Sequence, residues 1–282
     1  MKLIYKHGEL LHGTIIHYPD GQRQVKLDMS YFNCPKEPID IRCSIRNFTE
    51  LEVLLCIVGA LKSADLVIGR IEYVYLFGLR SDRKFEAGSC NYVEHVLAPI
   101  IKRLDDQCLW PCKFLQPHGR ATSYFNRDYG YSNTVHCPLP DEFRHTVRIG
   151  GDESAKDIVS HGTEFWEKDP LYFVKSRHKD EISLYLSGIT ENKIDKTDLP
   201  ILIMDDLCDG GATFIAEAEY LRDTAAINKD RKIYLFVYHG LFTKGFDELF
   251  KYFDRIYTTN SYKEYPAEVE SKLHVIDVWS NS

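Results

Sequence analysis

Apolar runs of strand length alternate along the chain with longer segments in which apolar residues recur every three or four positions. This alternation is typical of β–α–β units around a mostly parallel sheet. Helices are predicted over 51–64, over 92–104 and from 216–221 onward, and the segment 245–253 is amphipathic. Asn47 or Thr49 is predicted to cap the first helix. Strands are predicted over short runs rich in β-branched and aromatic residues, namely Ile71–Leu76, Leu171–Val174, Ile201–Met204, Ile233–Tyr238 and, as the last strand, from Arg255–Thr258.

A break in this pattern divides the chain. The segment 130–151 contains two prolines and three glycines with few apolar residues in register. Such a composition is typical of a domain boundary. We therefore predict two α/β domains, 1–138 and 139–282, that meet near Pro138, each with a central parallel sheet.

Charge and composition exclude several classes of protein. The formal net charge of -7 does not favour a nucleic-acid or anionic-membrane surface. No secretory leader is visible, and the longest apolar-rich run, 51–61, is too short to cross a bilayer. The eight cysteines indicate reduced thiols in a cytoplasmic protein. A zinc site at Cys108, Cys112 and His118 lacks a second ligand pair, which favours buried structural thiols.

The most informative segment is 201–214, where an apolar strand ends in two adjacent carboxylates, Asp205 and Asp206, and a glycine-rich turn leads into a helix. Open α/β sheets bind ligands at this end of their strands. Glycines let backbone amides approach a phosphate, and the helix N-terminus favours negative charge. The carboxylates suit the 2- and 3-hydroxyls of a ribose or a hydrated Mg²⁺. A plain acidic strand end is the alternative, and the strand–turn–helix context favours the phosphate site.

This segment resembles the loop that binds 5-phosphoribosyl 1-diphosphate (PRPP) in type I phosphoribosyltransferases and PRPP synthetases, an apolar strand followed by D-D, two residues, D-T, one residue and G-T. The resemblance implies two domains of the type I phosphoribosyltransferase fold. It also implies that the carboxylates bind the ribose diol or its metal and that the turn binds the 5-phosphate. Gly210 departs from the family's Thr and Ala212 from its Gly. The implied substrate-binding residues are Asp205, Asp206, Asp209, Gly210, Gly211, Ala212 and Thr213.

Three segments of the first domain resemble PRPP synthetases in particular. The segment Y-P-D-G-Q at 18–22 is similar to the F-x-D-G-E segment with which these enzymes hold adenine. The segment R-S-D-R-K at 80–84 is similar to their R-Q-D-R-K. The segment 116–125 is similar to their L-H-x-P-Q-I-Q-G-F-F if one residue is deleted. Taken singly, they also fit a tight turn, a solvated charge run and a surface histidine. The resemblance implies an ATP site near a subunit interface, formed by Tyr18, Asp20, Gln22, Arg80, Asp82 and His118.

A fourth segment resembles the catalytic loop of PRPP synthetases. V-K-S-R at 174–177 follows a predicted strand and matches their K-x-R, which assigns Lys175 and Arg177 as catalytic residues. Two cations on a flexible loop suit the charge of a transferring diphosphoryl group. The segments 238–242 and 258–261 also match in order and spacing, with His239 and Asn260 as structural or site-lining residues. The family's P-D-x-G-G survives only as I-G-G-D-E at 149–153.

The resemblance implies an enzyme that transfers the β,γ-diphosphoryl group of ATP to the anomeric hydroxyl of a 5-phosphorylated ribose and releases AMP. It implies Mg²⁺, with His118, Asp205 and Asp206 as ligands, and a homo-oligomer. Two alternatives stay open, a phosphoribosyltransferase that consumes PRPP and a catalytically silent regulatory subunit. Lys175 and Arg177 argue against both.

The two departures in the loop bear on the acceptor. Gly210 lacks a hydroxyl and Ala212 adds a methyl, and one lost hydrogen bond to a charged group costs about 1.5–3 kcal/mol. A phosphate diester tolerates this loss better than the terminal phosphate of ribose 5-phosphate. The chain therefore also resembles the branch of PRPP-synthetase-like enzymes that diphosphorylates ADP-ribose in phage NAD⁺ reconstitution, and we expect ADP-ribose slightly ahead of ribose 5-phosphate.

Overall fold

The chain forms two compact units. One comprises Met1–His136 with Trp279–Ser282, and the other comprises Cys137–Val278. The computed structural model describes residues 2–32, 37–119, 121–125, 135, 137–160, 170–178, 181–187, 197–223, 228, 230–269 and 271–280, and of residues 122, 175–178, 181–183 and 267 it describes the backbone alone.

The first unit is built on a five-stranded sheet in the order β2-β1-β5-β6-β7, parallel except for the β1–β2 pair. Strands β3 and β4 form a separate antiparallel hairpin. The strands are β1 (Lys2–Lys6), β2 (Glu9–Leu10), β3 (Gly13–His17), β4 (Arg23–Leu27), β5 (Ile39–Ile45), β6 (Ile68–Leu76) and β7 (Lys113–Phe114). The helices are α1 (Phe48–Ser63), α2 (Ala98–Asp105), a π-helical turn at Val93–Leu97 and a 3₁₀ turn at Ala121–Tyr124.

Helix α1 confirms the predicted 51–64 helix and its cap. The Asn47 side chain accepts a hydrogen bond from the Glu50 amide at 3.0 Å, which satisfies one of the unpaired donors at the helix start. Apolar residues at helical spacing, including Leu51, Leu54 and Leu61, are fully buried against the sheet. Because α1 connects the parallel strands β5 and β6, both strands end at the same edge, where the chain continues toward Arg80.

The second unit contains a seven-stranded sheet in the order β10-β9-β8-β11-β12-β13-β14, parallel except for β9–β10. The prediction of central parallel sheets is thus confirmed for both units. The strands are β8 (Val147–Gly150), β9 (Leu171–His178), β10 (Glu181–Leu186), β11 (Ile201–Cys208), β12 (Ile233–Gly240), β13 (Arg255–Thr259) and β14 (Leu273–Ile276). The helices are α3 (Lys156–Ser160), α4 (Ala212–Asp223), α5 (Leu249–Tyr252) and 3₁₀ turns at Asp141–His145, Glu153–Ala155 and Ala267–Val269.

Several predicted boundaries in this unit are wrong, and pairing with neighbouring strands explains why. Strand β11 runs four residues beyond Met204, because it stays in register with β12 as far as Cys208 opposite Gly240. Strand β9 continues to His178 because it pairs with β10, so the expectation that Lys175 and Arg177 lie on a loop is wrong. Strand β13 is not the last strand, since β14 follows it, and the 245–253 segment is α-helical only over α5.

Candidate active site

The paired carboxylates lie in the carboxyl-terminal half of β11. Asp206 is buried, and the Asp205 Oδ1 atom accepts a hydrogen bond from the Asp206 amide at 2.8 Å. Burial, together with the negative charges of Asp206 and Asp152, raises the pKa of Asp205 well above its ordinary range. A carboxylate with a pKa perturbed in this way at a strand end is typical of a functional site.

The segment 149–153 meets this acidic pair from the neighbouring strand β8. The Gly151 amide donates a hydrogen bond to the Met204 carbonyl at 3.0 Å. A β-carbon at Gly151 would lie 2.6 Å from the Asp205 Oδ2 atom, so this position must be glycine for the carboxylate to keep its place. Asp152 follows, and its side chain accepts a hydrogen bond from the Ser154 amide at 2.8 Å at the start of the next helical turn.

The glycine-rich turn connects β11 to α4. Gly211 has a φ of +82°, and a β-carbon there would lie 2.9 Å from the Leu249 side chain, so only glycine fits. The Gly211 carbonyl accepts the Ile215 amide and opens the helix. Ala212 and Thr213 are exposed in its first turn. The first amides of a helix have no intrahelical partner, which makes this turn suited to an anion.

The segment after β12 is attached to the same turn. The Thr243 hydroxyl donates to the Asp209 Oδ1 atom at 2.7 Å, and the Thr243 amide donates to the Asp209 carbonyl at 3.0 Å. The amides of Leu241 and Phe242 both donate to the Cys208 carbonyl, at 2.8 and 3.2 Å. Four hydrogen bonds therefore hold residues 241–243 in a defined position beside the turn.

A buried network lines the neighbouring strand ends. The His239 Nδ1 atom lies 2.9 Å from the Ser261 hydroxyl, and the Thr259 hydroxyl donates to the Tyr238 carbonyl at 2.6 Å. The Asn260 side-chain amide donates to Asp277 at 2.9 Å. These contacts tie β12, β13 and the segment after β14 together at the carboxyl edge of the sheet.

In the first unit, the structure groups Tyr18, Asp20 and Gln22 at the tip of the β3–β4 hairpin. The Gln22 amide donates to the Asp20 Oδ1 atom at 3.0 Å, and the Tyr18 amide donates to the Gln22 carbonyl at 3.0 Å. Gly21 has a φ of +97°, as such a turn requires. Tyr18 is 45% exposed, which leaves its ring accessible for stacking on a base.

The structure also brings together the segments that contain Asp82 and His118. A β-carbon at Gly119 would lie 3.4 Å from the Asp82 Oδ2 atom, so the turn after His118 lies against Asp82. Gln116 has a φ of 32° and Gly119 a φ of 50°, and His118 is half-buried between them. Arg80 is exposed at the start of the same segment.

The predicted catalytic cations and the predicted metal ligands lie on separate elements of the fold. The backbones of Lys175 and Arg177 lie in β9, opposite Leu184 and Ile182 of β10. The predicted metal ligands fall in different units, His118 in the first and the acidic pair in the second. Among the side chains that the structure describes, no group of three or more His, Cys, Asp or Glu residues is placed to hold a metal ion.

No protein-family model matches the chain. Its sequence is 23% identical over 289 aligned residues to the ribose-phosphate pyrophosphokinase of Pyrococcus abyssi (strain GE5 / Orsay), covering 97% of this chain and 91% of that protein. Along nearly its whole length, the chain is therefore similar in sequence to a ribose-phosphate pyrophosphokinase. The crystal structure of phosphoribosylpyrophosphate synthetase from Mycobacterium smegmatis is similar in fold to this chain, with a TM-score of 0.64 and 14% identity, and the match covers 94% of this chain and 86% of that chain.

The likeness to the solved structure confirms the predicted fold, two α/β domains of phosphoribosyltransferase type with parallel-rich sheets. In the described ranges, no helix is both long and apolar enough to span a bilayer. Sequence reasoning missed four residues near the acidic turn. Gly151 and Asp152 were noted only as a trace of P-D-x-G-G, and Thr243 and Lys244 directly follow the matched segment 238–242.

Proposed function

We propose that the protein is a diphosphotransferase that moves the β,γ-diphosphoryl group of ATP to the anomeric hydroxyl of ribose 5-phosphate and releases AMP. The observation that carries this proposal is the end of β11, where Asp205 and Asp206 precede the glycine turn at the start of α4. These carboxylates suit the ribose diol, and the turn suits its 5-phosphate. The similarity to a pyrophosphokinase along nearly the whole chain supports the proposal.

In the proposed reaction, the anomeric oxygen attacks the β-phosphorus of ATP and forms a new phosphorus–oxygen bond. The bond from the β-phosphorus to the oxygen shared with the α-phosphate breaks, AMP leaves with that oxygen, and the hydroxyl proton passes to solvent. Cations around the transferring group lower the barrier, because its oxygens carry negative charge throughout. We assign this role to Lys175 and Arg177.

The ATP contacts are proposed from the resemblance and supported by the placement of the residues. Tyr18 and Asp20, with Gln22, would hold adenine, since an exposed ring can stack on the base and a carboxylate can accept from its amino group. Arg80, with Asp82 nearby, would bind the phosphates. The exposed hairpin tip is accessible to ATP. From the resemblance we further propose that the ATP site lies near a subunit interface of a cytoplasmic homo-oligomer.

Magnesium fits the proposed donors. Mg²⁺ commonly takes one or two protein carboxylates together with substrate oxygens and water, and Asp205 and Asp206 provide such a pair. His118 is proposed as a further ligand near ATP. When bound, the ion would neutralise charge on the transferring phosphates.

A second candidate acceptor is ADP-ribose, which the sequence placed slightly ahead and which we place second because the relative found by sequence is a ribose-phosphate pyrophosphokinase. Gly210 provides no hydroxyl to a 5-phosphate, and Ala212, exposed at the first position of α4, carries a methyl group. A diester has less charge on each phosphorus than a terminal phosphate and more contacts elsewhere, so it depends less on this one hydrogen bond.

The test is incubation with ATP, Mg²⁺ and each acceptor, followed by mass spectrometry. We expect AMP and a 1-diphosphorylated ribose in equal amounts. With equal ribose 5-phosphate and ADP-ribose and limiting ATP, the product ratio identifies the acceptor. Diphosphate released from PRPP with a nucleobase and no ATP would indicate a phosphoribosyltransferase instead. Absence of AMP with both acceptors contradicts the proposal.

Gly151→Ala is expected to lower the rate of AMP formation about tenfold to a hundredfold. Its β-carbon would lie 2.6 Å from the Asp205 Oδ2 atom and 3.3 Å from the Phe214 ring, so the carboxylate must move. A displacement of about 1 Å in a positioned group costs on the order of a hundredfold. Gly59→Ala in α1 is the control, because beyond its chain neighbours and the backbone of its own helix no described atom lies within 4 Å of the added carbon. An unchanged rate in Gly151→Ala would show that Asp205 needs no fixed position.

A further inference from the structure

We propose that Lys244 binds the phosphate on C5 of the ribose and takes over the role of the hydroxyl that Gly210 lacks. The proposal rests on the proposed function and names one more binding residue at the same site. It begins from the contact between these two residues, which are 34 positions apart in the chain.

The Lys244 stem lies across Gly210. The Cδ, Cε and Cγ atoms of Lys244 are 3.2, 3.3 and 3.4 Å from the position that a β-carbon at Gly210 would take. Any larger residue at 210 would have to displace this stem by a few tenths of an ångström. The absence of a side chain at Gly210 therefore leaves the room in which the lysine lies.

The position of Lys244 follows from the backbone before it. Residues 241–243 are joined to Cys208 and Asp209 by the four hydrogen bonds described above. Lys244 is therefore the next residue after a segment fixed to the phosphate turn, and a flexible stem of four carbons can deliver its ammonium group to an anion at the start of α4.

The charge of Lys244 is available to a ligand. Its side chain is exposed, and none of the ion pairs among the described residues involves it, although Lys251 nearby in sequence pairs with Glu248 at 2.6 Å. An ammonium group forms a charge-assisted hydrogen bond with a phosphate oxygen, about twice as strong as a neutral one. Lys244 can thus offset the missing hydroxyl.

Binding of ribose 5-phosphate, measured by calorimetry without ATP, tests the proposal. We expect Lys244→Met, which keeps the stem and removes the charge, to weaken binding about tenfold to a hundredfold. Lys251→Met is the matched control and should stay within about twofold. Adding Gly210→Thr to Lys244→Met should recover part of the affinity, whereas Gly210→Thr alone should weaken binding by displacing the lysine.

ADP-ribose serves as a second probe. If Lys244 binds a terminal phosphate, Lys244→Met weakens the binding of ribose 5-phosphate more than the binding of ADP-ribose. If the binding of ADP-ribose is weakened more, the diphosphate linkage is identified as the ligand of Lys244. The proposal is overturned if Lys244→Met leaves the affinities for ribose 5-phosphate and ADP-ribose unchanged. It is also overturned if the natural protein binds neither of these two ligands. A protein that binds through Lys244 but forms no AMP contradicts only the proposed function.

Discussion

Asparagine at both Asp205 and Asp206 is expected to lower kcat/KM for the ribose phosphate by about 10²- to 10⁴-fold. Each carboxylate would accept a hydrogen bond from a ribose hydroxyl or hold its metal, and each such contact with a charged group is worth about 1.5–3 kcal/mol. Steady-state AMP formation by the single and double variants measures the loss. Each single variant should lose about tenfold to a hundredfold.

Stability separates this explanation from simple unfolding. The burial of the site, together with the charges of Asp206 and Asp152, disfavours an ionised Asp205, which is why its pKa is raised. Asparagine removes this unfavourable charge, so the Asp205→Asn variant should unfold at the same or a higher temperature than the natural protein. Asp141→Asn, at a side chain that is 95% exposed, is the control for activity. Loss of activity together with a lower unfolding temperature would contradict the assignment.

Glu72→Gln is expected to destabilise the first unit by about 3–5 kcal/mol. Glu72 on β6 lies directly opposite Arg42 on β5, and the Arg42 Nε atom donates to the Glu72 Oε2 atom at 2.9 Å. The Lys2 ammonium lies 3.3 Å from the same oxygen. Arg42 is only 4% exposed, so removing the carboxylate takes a negative charge away from a buried guanidinium. Hydrogen exchange of the β5 and β6 amides would measure the local loss.

The effect depends on pH in a defined direction. Burial raises the pKa of Glu72, but the charges of Arg42 and Lys2 outweigh it and lower the pKa below its ordinary value of 4.5. A depressed carboxylate pKa contributes stability that is complete above the unfolded-state pKa and is lost as the pH falls through the folded-state pKa. The difference between Glu72→Gln and the natural protein should therefore shrink below about pH 4.5.

Two control variants define what would contradict this prediction. Arg42→Met combined with Glu72→Leu should be less destabilised than Glu72→Gln, because both buried charges are removed together. Arg144→Gln breaks an exposed pair with Asp141 and should cost less than about 1 kcal/mol. A cost that small for Glu72→Gln would mean that solvent reaches the Arg42 guanidinium.

The sequence by itself determined those features that depend on neighbouring residues. The helix that begins after Asn47 or Thr49 and the acidic strand end with its glycine turn are encoded within a few positions, so pattern and propensity suffice to find them, whereas the structure identified Asn47 as the cap. The order of short motifs from Tyr18 to Ser261 similarly predicted the fold class. None of these inferences required knowing which strands lie side by side.

Only the tertiary structure decided which distant residues meet. Parallel pairing of β8 with β11 sets Gly151 and Asp152 against Asp205, and the hydrogen bonds of residues 241–243 set Lys244 across Gly210. Pairing also decided that β9 extends through Lys175 and Arg177 and that β14 follows β13. The physical reason is that strand length and strand neighbours depend on hydrogen bonds between remote segments, which local sequence patterns do not contain.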